Sequence, residues 1–159
     1  MISLLAGFLF AILRAYVNRK GLGMVLQELT MRLPNRPSGR DPDILFLLSA
    51  HSHRLRTNYL DGAADLIVEI ISPSTEDQDR EDKFVEYQQA GVQEYWLIDG
   101  VRQTAEFYQL DSGGYYQLIL PDEKGIYRCV AITDMWIDIE WLWQPYPNEF
   151  LIYKEWDLI

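Results

Sequence analysis

The spacing of apolar residues predicts one helix and three strands in the first half of the chain. An apolar run from Met1 to Leu13 leads into basic residues and stops at Gly21, which is typical of a core helix. The segment "MVLQELTMRL" alternates apolar and polar positions and predicts a strand with one buried face. The apolar runs "DILFLLSA" and "DLIVEII" predict two buried strands. Between them, "PNRPSGRDP" indicates a cluster of turns and "HSHRLRTNYLDGAA" a connecting loop.

The second half begins with a predicted helix and continues with antiparallel strands. In "SPSTEDQDREDKFVEYQQAG", Pro73 ends the preceding strand, Thr75 and Gln78 have capping-box spacing, and Gly91 ends the helix. Three strands follow at "EYWLID", "TAEFYQL" and "GYYQLIL", and extended pieces are expected at "IYRCVAI" and "WIDIEWLW". The order α-β-β-β-α-β, with antiparallel strands after it, predicts an α/β fold in which helices flank a mixed sheet.

Length and composition indicate one packed domain. The chain has 159 residues, of which 48% are hydrophobic and 13% aromatic, so disorder is not expected. We expect a domain over residues 1–145, followed by an aromatic tail, residues 146–159, that packs on the body or on a partner chain. The one cysteine, Cys129, excludes a disulfide framework and a cysteine-rich zinc site and favours a cytoplasmic chain. The N-terminal apolar run is shorter than a membrane span and no basic residue precedes it, so we expect no membrane anchor.

The net charge of the chain argues against a nucleic-acid partner, but a local group of basic residues could still bind one. The formal net charge is −10, whereas nucleic-acid binding depends on neutralising phosphates. Basic residues are nevertheless concentrated between positions 32 and 56. They are Arg32, Arg36, Arg40, His51, His53, Arg54 and Arg56.

A glutamate inside an apolar strand is the first candidate for chemistry. Glu69 lies in the middle of "DLIVEII", where an ionised carboxylate is costly unless it is paired, hydrogen-bonded or bound to a metal. Asp43 opens the preceding strand, and Lys83 lies on the following helix. Two carboxylates on adjacent strands can hold a hard divalent cation such as Mg²⁺, which polarises a phosphoryl oxygen and lowers the pKa of a bound water. A lysine beside them could stabilise charge developing on the phosphate.

Several segments resemble a known nuclease family. "PDILFL", "DLIVEIISPST", "DREDKFVEYQQAGVQEYWLID" and "TAEFYQL" resemble the Uma-type endonuclease family, which belongs to the PD-(D/E)XK restriction-endonuclease-like superfamily, over about residues 5–145. The resemblance implies a nuclease core, with Asp43 and Glu69 as the acidic ligands of Mg²⁺ or Mn²⁺ and Lys83 as a catalytic residue. It further implies DNA as the substrate and a homodimer as the assembly.

The chain also departs from that family. The lysine that usually follows the glutamate by two positions is replaced by Ile71, and Lys83 matches a lysine that has moved to the helix. The family's usual N-terminal segment, with its "YELIDG"-like strand pair, is not found, and the first helix has no acid for a third ligand. A second hypothesis is therefore a truncated, catalytically inactive binding or assembly module with a nuclease fold.

Each candidate residue has a purely structural alternative. Asp43 could cap a turn, and Glu69 could pair with an arginine in the core. Lys83 could form a solvated ion pair with Asp79, four residues earlier on the helix. Ser72 is expected to help end a strand rather than to act as a nucleophile. His51 and His53 could bind metal or phosphate, but they are expected to form a solvent-exposed pair.

The nuclease hypothesis makes predictions about geometry. The carboxylates of Asp43 and Glu69 should lie within about 6 Å of each other, close enough to share one cation. Lys83 should face them, because the helix must bury Phe84 and Tyr87, and its ammonium should lower the pKa values of the two carboxylates. The aromatic surface around Trp136, Trp141 and Trp143 should be hidden in a homodimer.

Overall fold

The computed structural model describes residues 4–71 and 80–159. The α-helices in these residues are α1 (Leu4–Lys20), α2 (Arg80–Ala90) and α3 (Glu149–Glu155). The strands are β1 (Gly23–Gln27), β2 (Thr30–Leu33), β3 (Arg36–Arg40), β4 (Ile44–Leu48), β5 (Tyr59–Asp61), β6 (Leu66–Ile71), β7 (Glu94–Asp99), β8 (Thr104–Leu110), β9 (Tyr116–Ile119), β10 (Ile126–Arg128) and β11 (Trp136–Asp138). Two 3₁₀ helices span Ser49–Arg54 and Ile139–Trp143. The predictions for Ser72, Pro73, Thr75 and Gln78 lie outside the described residues.

A six-stranded mixed sheet forms the centre of the fold. Its strand order is β1-β4-β6-β7-β8-β9, and β6 and β7 pair in parallel while the other neighbours are antiparallel. Helix α2 lies in the connection between the two parallel strands, as a crossover requires. The elements α1, β1, β4, β6, α2 and β7 follow the predicted order α-β-β-β-α-β, so the predicted fold class is confirmed.

A second, three-stranded sheet was not predicted. The expected single strand over residues 24–33 is wrong, because Glu28 has a φ of 55° and separates β1 from β2. The predicted turn cluster contains β3, and the predicted connecting loop contains β5. Both pair with β2, which gives this polar stretch backbone partners that local sequence does not indicate. Gly39 allows β3 to approach β2, since a side chain there would lie 2.6 Å from the Thr30 methyl group.

The two faces of the central sheet are covered by different elements. Residues alternate along β6, so Leu66 and Val68 pack on the side of α1 while Ile67 packs on the side of α2. Glu69 has the same parity as Ile67 and therefore lies on the α2 side. The candidate site is thus built on the face that α2 covers.

The C-terminal tail packs on the body of the chain. Ile152, Trp156 and Leu158 belong to the core cluster on the α1 side. The indole N–H of Trp156 donates to the carbonyl of Trp136 at 2.8 Å, and its ring meets that of Tyr16 edge-on. Helix α1 also belongs to this core, as predicted, and none of the described helices has the length and apolar character needed to cross a bilayer.

Candidate active site

Asp43 and Glu69 meet across two neighbouring antiparallel strands. Ile44 of β4 lies opposite Val68 of β6, and one step further along this register Asp43 lies opposite Glu69. The backbone N–H of Asp43 donates to Glu69 Oε1 at 3.2 Å, and that of Ile70 donates to Asp43 Oδ2 at 2.7 Å. Directly opposed residues of an antiparallel pair point to the same face. The two acids therefore lie side by side at one end of the sheet.

Helix α2 brings a cation and a hydroxyl to the same carboxylate. Lys83 Nζ lies 3.0 Å from Glu69 Oε2, and the Tyr87 hydroxyl donates to that oxygen at 3.0 Å. Lys83 and Tyr87 are four residues apart and so share one side of the helix. Lys83 faces Glu69, as predicted from the sequence. Its ammonium forms an ion pair with the buried glutamate. The alternative partner of Lys83, Asp79, lies outside the described residues.

Burial controls the ionisation of Glu69. The side chain is 5% exposed, and burial raises its pKa above the ordinary value of 4.5. The charge of Lys83 lowers the pKa and that of Asp43 raises it, but loss of solvent is the largest effect. Lys83 lowers the pKa of this carboxyl, as predicted, but it offsets only part of the effect of burial, so the net shift is upward.

The carboxylate oxygens of Asp43 and Glu69 suit a hard cation that takes few ligands from the protein. Asp43 uses Oδ2 for the N–H of Ile70, and Oδ1 accepts no hydrogen bond from the described residues. Glu69 adds two further oxygens beside it. Within residues 4–71 and 80–159 there is no group of three or more acids, histidines or cysteines able to hold a metal. Two carboxylates match Mg²⁺, which commonly binds through one or two of them and keeps several waters.

Glu106 is a further acid on this face, and it is already paired. It lies on β8 opposite Leu97, which is in turn opposite Glu69 on the other side of β7. Arg80 contacts one of its oxygens, and the Tyr108 hydroxyl donates to the other at 2.6 Å. The charge of this carboxylate is therefore already balanced by Arg80.

The predicted basic cluster is partly neutralised. Arg40 is buried and bonds Glu86 of α2 in a two-pronged contact at 2.6 and 3.1 Å, and Arg36 lies 3.7 Å from the same carboxylate. Arg56 pairs with Asp61 at 3.4 Å. This cluster therefore contributes less positive surface than the sequence predicts.

The prediction of two solvent-exposed histidines is wrong for one of them. His53 is exposed, but His51 is half-buried and its Nδ1 lies 2.9 and 3.0 Å from the carboxylate oxygens of Asp65. Sequence reasoning also missed the contact of Tyr87 with Glu69. The spacing of Tyr87 one turn after Lys83 was the available signal for it, whereas nothing local links His51 to Asp65.

The fold defines a class of protein. A mixed sheet with this element order, flanked by helices, is the restriction-endonuclease-like α/β fold. The structure is similar to that described as "a putative nuclease belonging to DUF820 from Anabaena variabilis", with a TM-score of 0.70 and 18% sequence identity. The match covers 87% of this chain and 77% of that one.

The family follows from the sequence itself. The model of the Uma2 family, described as "Putative restriction endonuclease", matches residues 3–140. The chain therefore belongs to the Uma2 family. A comparison with curated proteins found no match.

Proposed function

We propose that this chain is a metal-dependent endonuclease that hydrolyses phosphodiester bonds of DNA. Asp43 and Glu69 would hold Mg²⁺ or Mn²⁺, and Lys83 would assist the reaction. One observation carries the proposal. The carboxylates of Asp43 and Glu69 lie side by side, and the Lys83 ammonium lies 3.0 Å from Glu69. Membership of the Uma2 family supports the nuclease class.

A bound cation would supply Lewis-acid polarisation of a phosphoryl oxygen and would favour ionisation of water. The chain's own residues have other tasks. Asp43 and Glu69 are fixed by backbone N–H groups, so their oxygens are held in place before substrate arrives. Tyr87 orients Glu69 from the helix side. Lys83 brings a positive charge next to the site, where it can stabilise negative charge that develops on the phosphate.

The test combines metal binding with cleavage. Mn²⁺ or Mg²⁺ should raise the melting temperature of the wild-type protein, because a ligand present at 100 times its Kd stabilises the folded state by about 2.7 kcal/mol. Asp43→Asn should abolish this shift and the cleavage of a plasmid or linear DNA. Glu123→Gln removes an exposed carboxylate elsewhere and is the control.

The alternative function is a silent binding or assembly module. One observation favours it: both oxygens of Glu69 already accept hydrogen bonds within the chain, so the carboxylate is satisfied without a metal. A protein that neither shifts its melting temperature with Mn²⁺ nor cleaves DNA would overturn the nuclease proposal and leave this one.

We also propose the assembly and the compartment. The chain is proposed to form a homodimer, on the strength of apolar side chains exposed near its C-terminus. It is proposed to work in the cytoplasm, because Cys129 is a buried free thiol rather than half of a disulfide.

A further inference from the structure

A cavity lies near the C-terminal end of α2, away from the candidate active site. Its volume is about 390 Å³. The polar side chains in its wall are those of His51, Arg54, Asp65 and Gln93. Asp65 directly precedes β6 and lies four residues before Glu69, so the two acids are about 13 Å apart along the strand. The cavity is therefore separate from the paired acids.

Asp65 fixes the orientation of His51. It is 8% exposed and accepts the backbone N–H of Leu48 at 2.8 Å. Both of its oxygens also lie within 3.0 Å of His51 Nδ1. Because the two nitrogens of an imidazole lie on different edges of the ring, this contact leaves Nε2 to the cavity that His51 lines. When the ring is protonated, Nε2 carries a hydrogen that it can donate.

Arg54 is held in the same wall. Its Nη1 donates to the carbonyl of Ala63 at 2.8 Å. The other guanidinium donors make no hydrogen bond with the described residues, and a guanidinium has five N–H groups in a planar fork. The remaining wall includes small side chains, those of Ala63 and Ala90, so the space beside these donors is open.

We propose that this cavity binds a phosphate group through His51 Nε2 and the guanidinium of Arg54, with Asp65 as the residue that positions His51. A guanidinium and an imidazole, which becomes a second cationic donor when it is protonated, line one space and together suit a tetrahedral anion. A metal cation is disfavoured, since the Asp65 oxygens already serve His51 and Leu48. An acid–base dyad for a protein nucleophile is disfavoured too, because the lining residues include no serine, threonine, cysteine or lysine. The proposal does not rest on the proposed nuclease function.

The phosphate could belong to a free or terminal phosphate or to an internal position of a nucleic-acid strand. NMR of the imidazole protons distinguishes them, because the chain has only two histidines. The protein is titrated with inorganic phosphate at about pH 6.5, near the ordinary pKa of imidazole, with chloride at equal ionic strength as the reference. A parallel titration uses a short single-stranded oligonucleotide without terminal phosphates. His53→Gln assigns the two signals, and exposed His53 is the internal control.

A saturable change in the chemical shift of the His51 protons with phosphate, without a change for His53, would support the site. A change with inorganic phosphate alone would assign the site to free or terminal phosphates. A change with both phosphate and the oligonucleotide would assign it to the nucleic-acid backbone. His51→Asn keeps a donor toward Asp65 and removes Nε2, and it should weaken phosphate binding on the order of tenfold or more. Asp43→Asn should leave phosphate binding unchanged, which separates this site from the nuclease proposal. No saturable shift in the wild-type protein, or equal shifts of both histidines, would overturn the inference.

Discussion

Asp43 and Glu69 hold each other in place at the end of two antiparallel strands. The N–H of Asp43 donates to Glu69, and the Asp43 carboxylate accepts the N–H of Ile70, the residue after Glu69. Each acid therefore fixes the backbone beside the other. Truncation of either to alanine would disturb both, so amide variants of nearly equal shape are the appropriate probes of their chemistry.

Lys83→Met is expected to reduce DNA cleavage while leaving Mn²⁺ binding intact. Methionine keeps much of the aliphatic stem but removes the ammonium that lies 3.0 Å from Glu69. Loss of one positioned electrostatic group lowers turnover by roughly one to three orders of magnitude. The measurement is the rate of cleavage at saturating metal, with Lys124→Met at an exposed position as the control. Unchanged cleavage with normal metal binding would show that Lys83 serves only to pair with Glu69.

Tyr87→Phe and Tyr95→Phe should differ although both rings are buried. The Tyr87 hydroxyl donates to Glu69, whereas the Tyr95 hydroxyl has no hydrogen-bond partner among the residues that the structure describes. Tyr87→Phe should lower the free energy of unfolding by about 1–3 kcal/mol, the usual cost of losing a bond to a buried charged group. Tyr95→Phe should be neutral or slightly stabilising, since it removes an unsatisfied polar atom. Urea unfolding of both variants makes the comparison, and equal losses would contradict it.

The stability of the metal-free protein should depend on pH through Glu69. Its pKa is raised in the folded state, mainly by burial, so the folded chain binds this proton more tightly than the unfolded chain does. Its contribution to stability is complete below the ordinary value of 4.5 and is lost as the pH rises through the folded-state pKa.

The matched variant is Glu69→Gln, which carries no charge at any pH. The free energy of unfolding of the wild type, relative to that variant, should fall as the pH rises above about 4.5. Urea unfolding in the presence of a chelator measures it. A difference that does not change with pH would contradict the raised pKa.

The sequence predicted the middle of the central sheet because β4, β6 and β7 are buried on both faces and appear as apolar runs. It also predicted that Asp43, Glu69 and Lys83 come together, because the strands are neighbours and the helix follows directly. It could not predict β3 and β5, whose polar residues are extended only because they pair with β2. The His51–Asp65 contact joins residues 14 positions apart through a 3₁₀ helix, and no periodic pattern records such a contact.

Glu94 is the clearest residue that the sequence did not single out. It begins β7, is fully buried on the α1 side of the sheet and accepts hydrogen bonds from distant residues. The indole N–H of Trp96 and the backbone N–H groups of Val130 and Ala131 lie 2.7 to 2.8 Å from its oxygens, and the Tyr127 hydroxyl contacts it as well. The partners at positions 127–131 are more than 30 residues away, so local patterns did not reveal them.

Glu94→Gln should therefore destabilise the protein strongly without changing the candidate site. The amide replaces an accepting oxygen by a donor that faces other donors, and unsatisfied buried groups cost about 1–3 kcal/mol each. We expect the free energy of unfolding to fall by about 2–5 kcal/mol in urea. Exposed Glu123→Gln should change it little. Mn²⁺ binding by the folded fraction should persist, because Glu94 and Glu69 lie on opposite faces; loss of metal binding would contradict this separation.

The structure indicates where the interface of the predicted homodimer would lie. Trp136, Trp141 and Trp143, which suggested it, pack at least partly against the chain's own core. The large apolar side chains left exposed nearby include Tyr146 at 90%, just before α3, and Phe150 at 64% and Leu151 at 59% on it. Apolar side chains exposed together on one short segment favour association.

We expect the wild-type protein to elute as a dimer in size-exclusion chromatography with light scattering, at concentrations of tens of micromolar. Phe150→Glu should shift it toward the monomer, because a carboxylate in the contact would lose its hydration. Val101→Glu is the matched control, since Val101 is 74% exposed in the β7–β8 turn, far along the chain from α3. A wild-type protein that remains monomeric would refute the dimer, and equal dissociation of both variants would place the interface elsewhere than α3.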